Sequence, residues 1–262
     1  MRTNAGQSEP WPGLRELDPA AFGTDLDALM RVYQAAMGVA AVQIPGRRAI
    51  MEAHAANPGF RGFAVTAPPG PVTAPPGPVT APPGPVTVPP GPVTARPDAV
   101  TAAPGSSPGR SAGRSLRRSA RPSPGLLPER SAGPSPGDVI AFAYGFHGGR
   151  GQWWHDLVRS ALISRSGYGA AIEWLDDSFE VAEVHVHPEY QRRGIGRRLL
   201  YMLTGGRAER TAVLSTMDTN SPARRLYRSL GFADLLTDYR FSGAPVPYAV
   251  MGAALPLLTT RS

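Results

Sequence analysis

Neither cysteine nor lysine occurs anywhere in the 262 residues. The first absence excludes disulfides, thiolate metal sites and a catalytic thiol. The second leaves arginine as the only basic side chain besides histidine, which together with abundant Ala, Gly and Pro matches the coding bias of a GC-rich bacterium. The N-terminus MRTNAGQSEP has no apolar signal core, and no run approaches the length of a membrane span. A soluble cytoplasmic protein with no membrane partner is the expectation.

What is present in excess is glycine and proline, 30 of each, too many for one compact domain even though a 42% hydrophobic content suffices for a core. The surplus is concentrated in one tract. From Ala67 the chain repeats APPGPVT three times, then VPPGPVT and the decayed ARPDAVT, and continues through Ser, Gly, Pro and Arg to about Gly137. Prolines throughout a seven-residue period exclude a coiled coil, and glycine at a spacing of seven excludes collagen. With few aliphatic or aromatic side chains the tract cannot offset the entropy of ordering itself, so residues 66–137 read as a disordered, polyproline-like insertion. Seven arginines lie in it against Asp98 and Glu129, a net of +5 out of the chain's +7. The basic balance therefore belongs to a linker without interleaved aromatics, and no nucleic-acid partner is expected.

The flanks read as two parts of one α/β domain. Before the tract, GLRELDP suggests a strand and TDLDALMRVYQAAMG a helix with Leu26, Leu29, Met30, Tyr33 and Met37 on one face. Thr24 with Asp27 resembles a capping box and Gly38 suits a C-terminal stop. A second helix over about 47–56 and the strand FRGFAVT follow. After the tract come the strand DVIAFAYGF, a helix in WWHDLVRSALI, the strand FEVAEVHVH, a glycine turn and the helix IGRRLLYMLTGGRAE. The strand TAVLSTM, the helix SPARRLYRSLG and the strands LLTDYRF and PYAVMGAAL complete the chain. Ser221 as N-cap, Pro222 at the first helical position and Gly231 beyond the end bracket the short helix. FRGFAVT and DVIAFAYGF suit a hairpin whose turn has swollen, because loop-closure entropy grows only logarithmically with length.

The turn QRRGIGRRLL carries chemistry. A strand ending in glycines that open a helix aims backbone N–H groups at one point, at the positive end of the helix dipole, and forms an anion site. Gly194 and Gly196 allow close approach, and Arg192, Arg193 and Arg197 add charge. The spacing is neither GxGxxG nor a P-loop.

The run V-x-V-x-P-x-Y-Q-R-R-G-I-G-R-R-L-L, followed by N-S-P-A-R-R-L-Y-R-S-L-G-F, closely resembles the GNAT superfamily of N-acetyltransferases, most strongly over Phe179–Phe232. The resemblance implies a mixed, mostly antiparallel α/β sheet flanked by helices and splayed between its fourth and fifth strands, interrupted by the insertion. Residues 11–65 would form its N-terminal part and 138–258 its C-terminal part. It implies acetyl-CoA as cosubstrate, with Gln191, Arg192, Arg193, Gly194, Ile195, Gly196 and Arg197 around the pyrophosphate. Val186 would meet the pantetheine amides, the N–H of Val184 the thioester carbonyl, and Asn220 the cofactor arm. Tyr227 would protonate the departing thiolate. Glu180 or Glu183 would serve as base; on a regular strand their opposite parity sends them to different faces, and either can be a solvated charge. Some N-terminal acetyltransferases carry a Glu on the following strand, where Ser215 stands here.

Other side chains remain open between two readings. His185 and His187 share a strand face without a third ligand, so no metal is expected, and either could accept a proton. Trp153, Trp154 and Trp174 shape an acceptor pocket or form a satellite core. Asp176, Asp177 and Glu180 favour a cationic acceptor or are ordinary surface acids. The expected activity is acetyl transfer to a primary amine of a small molecule or peptide by direct attack, in a monomer or homodimer. The alternative is a non-catalytic acyl-CoA sensor on the same fold.

Overall fold

The computed structural model describes residues 13–39, 44–69, 86–87 and 133–259. The body of the expected disordered insertion lies outside these, as do the first two residues assigned to the N-terminal part. The strands are β1 (Leu14–Leu17), β2 (Arg61–Thr66), β3 (Val86–Thr87), β4 (Val139–His147), β5 (Ser178–Val186), β6 (Thr211–Met217), β7 (Ala233–Tyr239) and β8 (Tyr248–Ala254). The helices are α1 (Pro19–Met37), α2 (Ile44–Ala55), α3 (Trp153–Ser166), α4 (Tyr168–Leu175), α5 (Ile195–Thr204) and α6 (Pro222–Ser229).

One sheet takes all eight strands in the order β1-β2-β4-β5-β3-β6-β8-β7. Every pairing is antiparallel except β5 with β6, which are joined through α5 by the crossover that a parallel pair requires. β2 and β4 pair from Arg61↔Gly145 to Thr66↔Val139. The hairpin continues past Thr66: Ala67 N donates to Asp138 O and Gly137 N to Ala67 O. Residues on both sides of the tract thus contribute neighbouring strands, and the paired backbone runs a few residues into the expected insertion. Two residues of the repeat itself, Val86 and Thr87, are also paired, against Glu183 and Val184 of β5 and Thr216 of β6.

The sheet separates two apolar layers. On one side α1, α2 and α3 bury Phe22, Leu26, Leu29, Met51, Trp154 and Leu162 against Phe142 and Tyr144. On the other, α5 and α6 bury Leu199, Leu200, Leu203 and Tyr227 against Ile140, Val181 and Leu214. β4 is covered on both faces, which explains its almost unbroken apolar run. Each fully buried Leu or Phe contributes about 1.5–3 kcal/mol relative to exposure.

One local expectation is corrected. α1 starts before Thr24: Asp18 is the N-cap, its carboxylate accepting from Ala21 N at 2.8 Å, with Pro19 in the first turn. Thr24 lies inside the helix and donates to Ala20 O at 3.0 Å. A Pro directly after an Asp is the stronger start signal, since its fixed φ suits the first turn. Gly38 ends the helix in the left-handed conformation, φ 61°, as expected. The helix expected in WWHDLVRSALI is α3, and α4 follows it after a break at Gly167 (φ 88°). Among the described residues no helix is long and apolar enough to cross a membrane.

Candidate functional site

β5 and β6 hold each other only over Ser178–Glu180 and Thr211–Val213. Beyond Glu180 they part, with Val86–Thr87 between them, and the opening lies between the strands where the splay is expected. The ladder between β4 and β5 also slips here: Tyr144 pairs with Glu183 but Gly145 with Val181, so Ala182 is an extra residue. This is a β-bulge. Gly145 sits opposite it because a Cβ there would lie 2.7 Å from the Phe179 ring. The bulge resets the alternation of side chains. Phe179, Val181 and Val184 pack in the α5 layer, whereas Glu180 acts on Tyr144 and Glu183 pairs with Arg47, both in the layer of α1 and α2. The opposite-face expectation for the two glutamates is therefore corrected.

β5 leads into the glycine turn. Gln191 Nε2 donates to Val186 O at 3.0 Å, tying the turn to the strand end. Arg192 (φ 63°) and Gly194 (φ 80°) take left-handed conformations, and Gly194 caps α5. The first backbone N–H groups of α5 then face outward with no intrahelical acceptor. A cavity of about 450 Å³ begins at this turn. Of the residues expected around the cofactor, Val184, Val186, Gln191, Arg192, Gly194 and Ile195 line it, as do Gly196 and Arg197. Arg193 is not in its lining: it donates to Glu189 O at 2.9 Å and lies over the Tyr190 ring at 5.0 Å. Asn220 also stands outside, its backbone and side-chain oxygens accepting from Arg225 at 2.8 and 3.3 Å.

The far wall is α6, whose start is fixed as expected by Ser221 Oγ accepting from Arg224 N at 3.1 Å. Tyr227 lines the cavity, and burial holds its phenol above the usual range, so it stays protonated at neutral pH. Pro222, Leu226 and Ser229 line it too, with Arg225 beside them. Their helical spacing puts them on one face of α6, a pattern legible in the sequence. Ala36 of α1 and His185 also line the cavity. No local pattern announces Ala36, because only the packing of α1 brings it there.

The ionisable groups beside the splay differ sharply. Glu180 is buried, its Oε2 has no hydrogen-bond partner among the described residues, and burial pushes its carboxyl up to about 8. Glu183 is paired with Arg47 and hydrogen-bonded to His185 Nε2. Neither glutamate lines the cavity. Burial and then the Arg47 charge bring the His185 imidazole down to about 3, so it is neutral. His187, by contrast, accepts from Glu189 N and packs edge-on against Tyr190. Among the described residues no group of three His, Asp or Glu is placed for a metal ion.

The remaining open readings resolve toward structure. Asp176 pairs with Arg159 at 2.5 Å and Asp177 with Arg210 at 3.4 Å, so these acids are neutralised locally. Trp154 is buried and donates to Ser215 Oγ at 3.1 Å, Trp153 packs near Phe241, and Trp174 lies against Gly252. The tryptophans belong to the core; none of them lines the cavity.

Residues 152–234 match the family model described as an acetyltransferase (GNAT) domain. The chain is 41% identical over 124 residues to the GCN5-like protein acetyltransferase Rv2170 of Mycobacterium tuberculosis, covering 45% of this chain and 60% of that protein. It is 41% identical over 91 residues to the N-alpha-acetyltransferase RimI of the same organism, covering 34% and 54%. The chain thus spans little more than half the length of these relatives. Among solved structures it is similar to a ribosomal-protein-alanine N-acetyltransferase from Brucella melitensis, at 16% identity and a TM-score of 0.44 over 92% of this chain and 99% of that one. The segment matched by the acetyltransferase (GNAT) domain model, residues 152–234, contains both of the paired motifs and the splayed β5–β6 pair.

Proposed function

We propose that the protein is an acetyl-CoA-dependent N-acetyltransferase that passes the acetyl group to a primary amine of a small molecule or peptide. The observation that carries this reading is the single cavity joining the N-terminus of α5, with Arg192 and Arg197, to the main chain of Val184 and Val186 and to Tyr227. One end suits a diphosphate through backbone N–H groups and arginines. The other offers the main chain of Val186, beyond the Val86↔Val184 pairing, to amides and a protonated phenol to a sulfur leaving group.

Each residue has a distinct task. With Val86–Thr87 displaced from β5, the Val184 N–H polarises the thioester carbonyl and stabilises negative charge developing on its oxygen. As the amine nitrogen bonds to the acyl carbon and the carbon–sulfur bond breaks, Tyr227 gives its proton to the thiolate. The proton lost by the amine goes to Glu180 through water, because Glu183 is already committed to Arg47 and His185. No thiol is available for an acyl-enzyme, which favours direct attack. Calorimetric titration with acetyl-CoA tests the reading: binding in the micromolar range is expected, and a folded sample that shows none at high micromolar concentration sinks it.

The second reading, a non-catalytic acyl-CoA sensor, draws support from the placement of both glutamates outside the cavity lining. An amine-panel assay separates the two. Cofactor binding with no amine acetylated favours the sensor.

A further inference from the structure

β5 and β6 are each paired on the outer side, β5 with β4 and β6 with β8. On the inner side they hold each other only over Ser178–Glu180 and Thr211–Val213. Past that point the partner supplied by the described residues is the short strand β3. Val86 pairs with Val184 of β5 and with Thr216 of β6, and Thr87 pairs with Glu183, antiparallel to both strands. Although it has two residues, β3 is thus an interior strand of the sheet. Strands that part present backbone donors and acceptors, which an extended segment meets by adding itself as a strand. The sequence gives a reason for this segment to do so. Val86 and Thr87 stand between Pro85 and Pro89 in the run P-V-T-V-P. Both are β-branched and favour the extended backbone, whereas proline has no N–H for a ladder and is not accommodated in an interior strand. The same Pro-Val-Thr stands at 71–73, 78–80 and 92–94, and Val-Thr again at 100–101. Those copies lie outside the described residues; in sequence each carries the backbone donors and acceptors of Val86–Thr87.

We propose that the facing edges of β5 and β6 beyond Glu180 form a binding surface for an extended Pro-Val-Thr peptide, that its occupant is the chain's own repeat, and that this occupancy competes with acetyl-CoA. Val184 is the point of conflict. It pairs with Val86, it lines the cavity, and its N–H is the group that the proposed reaction directs at the thioester carbonyl. The competition, though not the surface, rests on the N-acetyltransferase reading. A ladder bounded by Pro85 and Pro89 is short and therefore weak, so the repeat lowers the affinity for the cosubstrate without abolishing it. Tandem copies on one chain keep the local concentration of the dipeptide high, and the loss of one copy is made up by the others.

The test uses the full chain with Val72→Pro, Val79→Pro, Val86→Pro, Val93→Pro and Val100→Pro combined, which keeps the length of the tract and removes every strand-forming dipeptide from it. Calorimetric titration should show acetyl-CoA binding about 3- to 30-fold tighter in this five-site variant than in the parent, while Val86→Pro alone stays within about twofold of the parent. Amide hydrogen exchange without cosubstrate should be faster over Glu183–Val186 of β5 in the five-site variant. The peptide APPGPVTVPPG, residues 81–91 of the chain, should slow that exchange again at millimolar concentration and weaken acetyl-CoA binding, and the same peptide with proline for its first valine should do neither. Equal affinity in parent and five-site variant, or a peptide that moves neither measurement, overturns the proposal. So does a parent affinity that changes with protein concentration, which would put the repeat of a second copy on the surface. Should the five-site variant fail to fold, the peptide added to the parent decides by the same two measurements. If neither protein binds acetyl-CoA while the peptide still slows exchange in β5, the surface stands and the acetyl-transfer function falls.

Discussion

At the scale of single residues, the site is governed by what burial does to charge. Glu180 has no counter-charge among the described residues, and burial pushes its carboxyl up to about 8, far above the ordinary glutamate value. The folded protein therefore keeps a proton that the unfolded chain gives up near pH 4.5. Because the native state then binds more protons than the unfolded state, stability is highest at the acid end of this window and falls as pH rises through it to about 8. Glu180→Gln removes the titration. Urea melts at intervals from about pH 5 to about pH 8 should show a parent that loses on the order of a few kcal/mol across the range and a variant with a nearly flat profile. Equal slopes would show that Glu180 is ionised when folded. If Glu180 is also the proton sink, kcat/KM rises with pH through the same region in the parent, and that limb disappears in the variant.

At the scale of elements, the start of α1 is decided by competition between two polar side chains. Both Asp18 and Thr24 are plausible caps in the sequence, but only Asp18 lies outside the helix, where its carboxylate can meet a free N–H. Asp18→Ala should cost about 1 kcal/mol. Thr24→Ala should change stability by no more than a few tenths of a kcal/mol, because Ala is the better helix former and the lost bond goes to a carbonyl already inside the helix. Denaturant midpoints of the two variants check this, and a larger loss for Thr24→Ala would restore the later start. Neither change should alter acetyl-CoA affinity, since neither residue lines the cavity. The same logic holds at β5, where one inserted residue, Ala182, turns a strand of regular alternation into one that places Glu180 and Glu183 on the same side.

At the scale of the whole molecule, the sheet joins β1 and β2 from before the tract to β4 and the later strands. The interrupted-domain organisation predicts that residues 70–132 can be replaced by a short glycine-containing turn between Pro69 and Gly133 with folding retained. Closing a shorter loop gains about 2 kcal/mol at most and removes no core side chain described here. The replacement also removes Val86–Thr87 from between β5 and β6, so acetyl-CoA affinity should stay level or rise; a marked fall would count against the cavity assignment. Residues 138–262 alone should show no cooperative unfolding, because Phe22, Leu26, Leu29 and Met51 would no longer cover Phe142 and Tyr144. Cooperative unfolding of that fragment would instead make the N-terminal part a separate module.

The sequence by itself determined the features set by neighbours along the chain. The glycine turn with its arginines, the Ser221–Pro222 start of α6, the Gly38 stop, the alternation of strands and helices and the low-complexity tract are all written in local spacing, which fixes local φ, ψ and dipole direction. The family resemblance needed nothing more than the two motifs. Only the tertiary structure decided which side each glutamate faces, since the Ala182 bulge arises from pairing with β4 and from the space that Gly145 leaves opposite it. It also buried His185, which keeps the imidazole neutral, and brought Arg47, 136 residues before Glu183 in the chain, onto that carboxylate, where its charge adds to the effect. Charge, protonation and hydrogen-bond direction at this site depend on burial and on partners remote in sequence, and no local pattern encodes either.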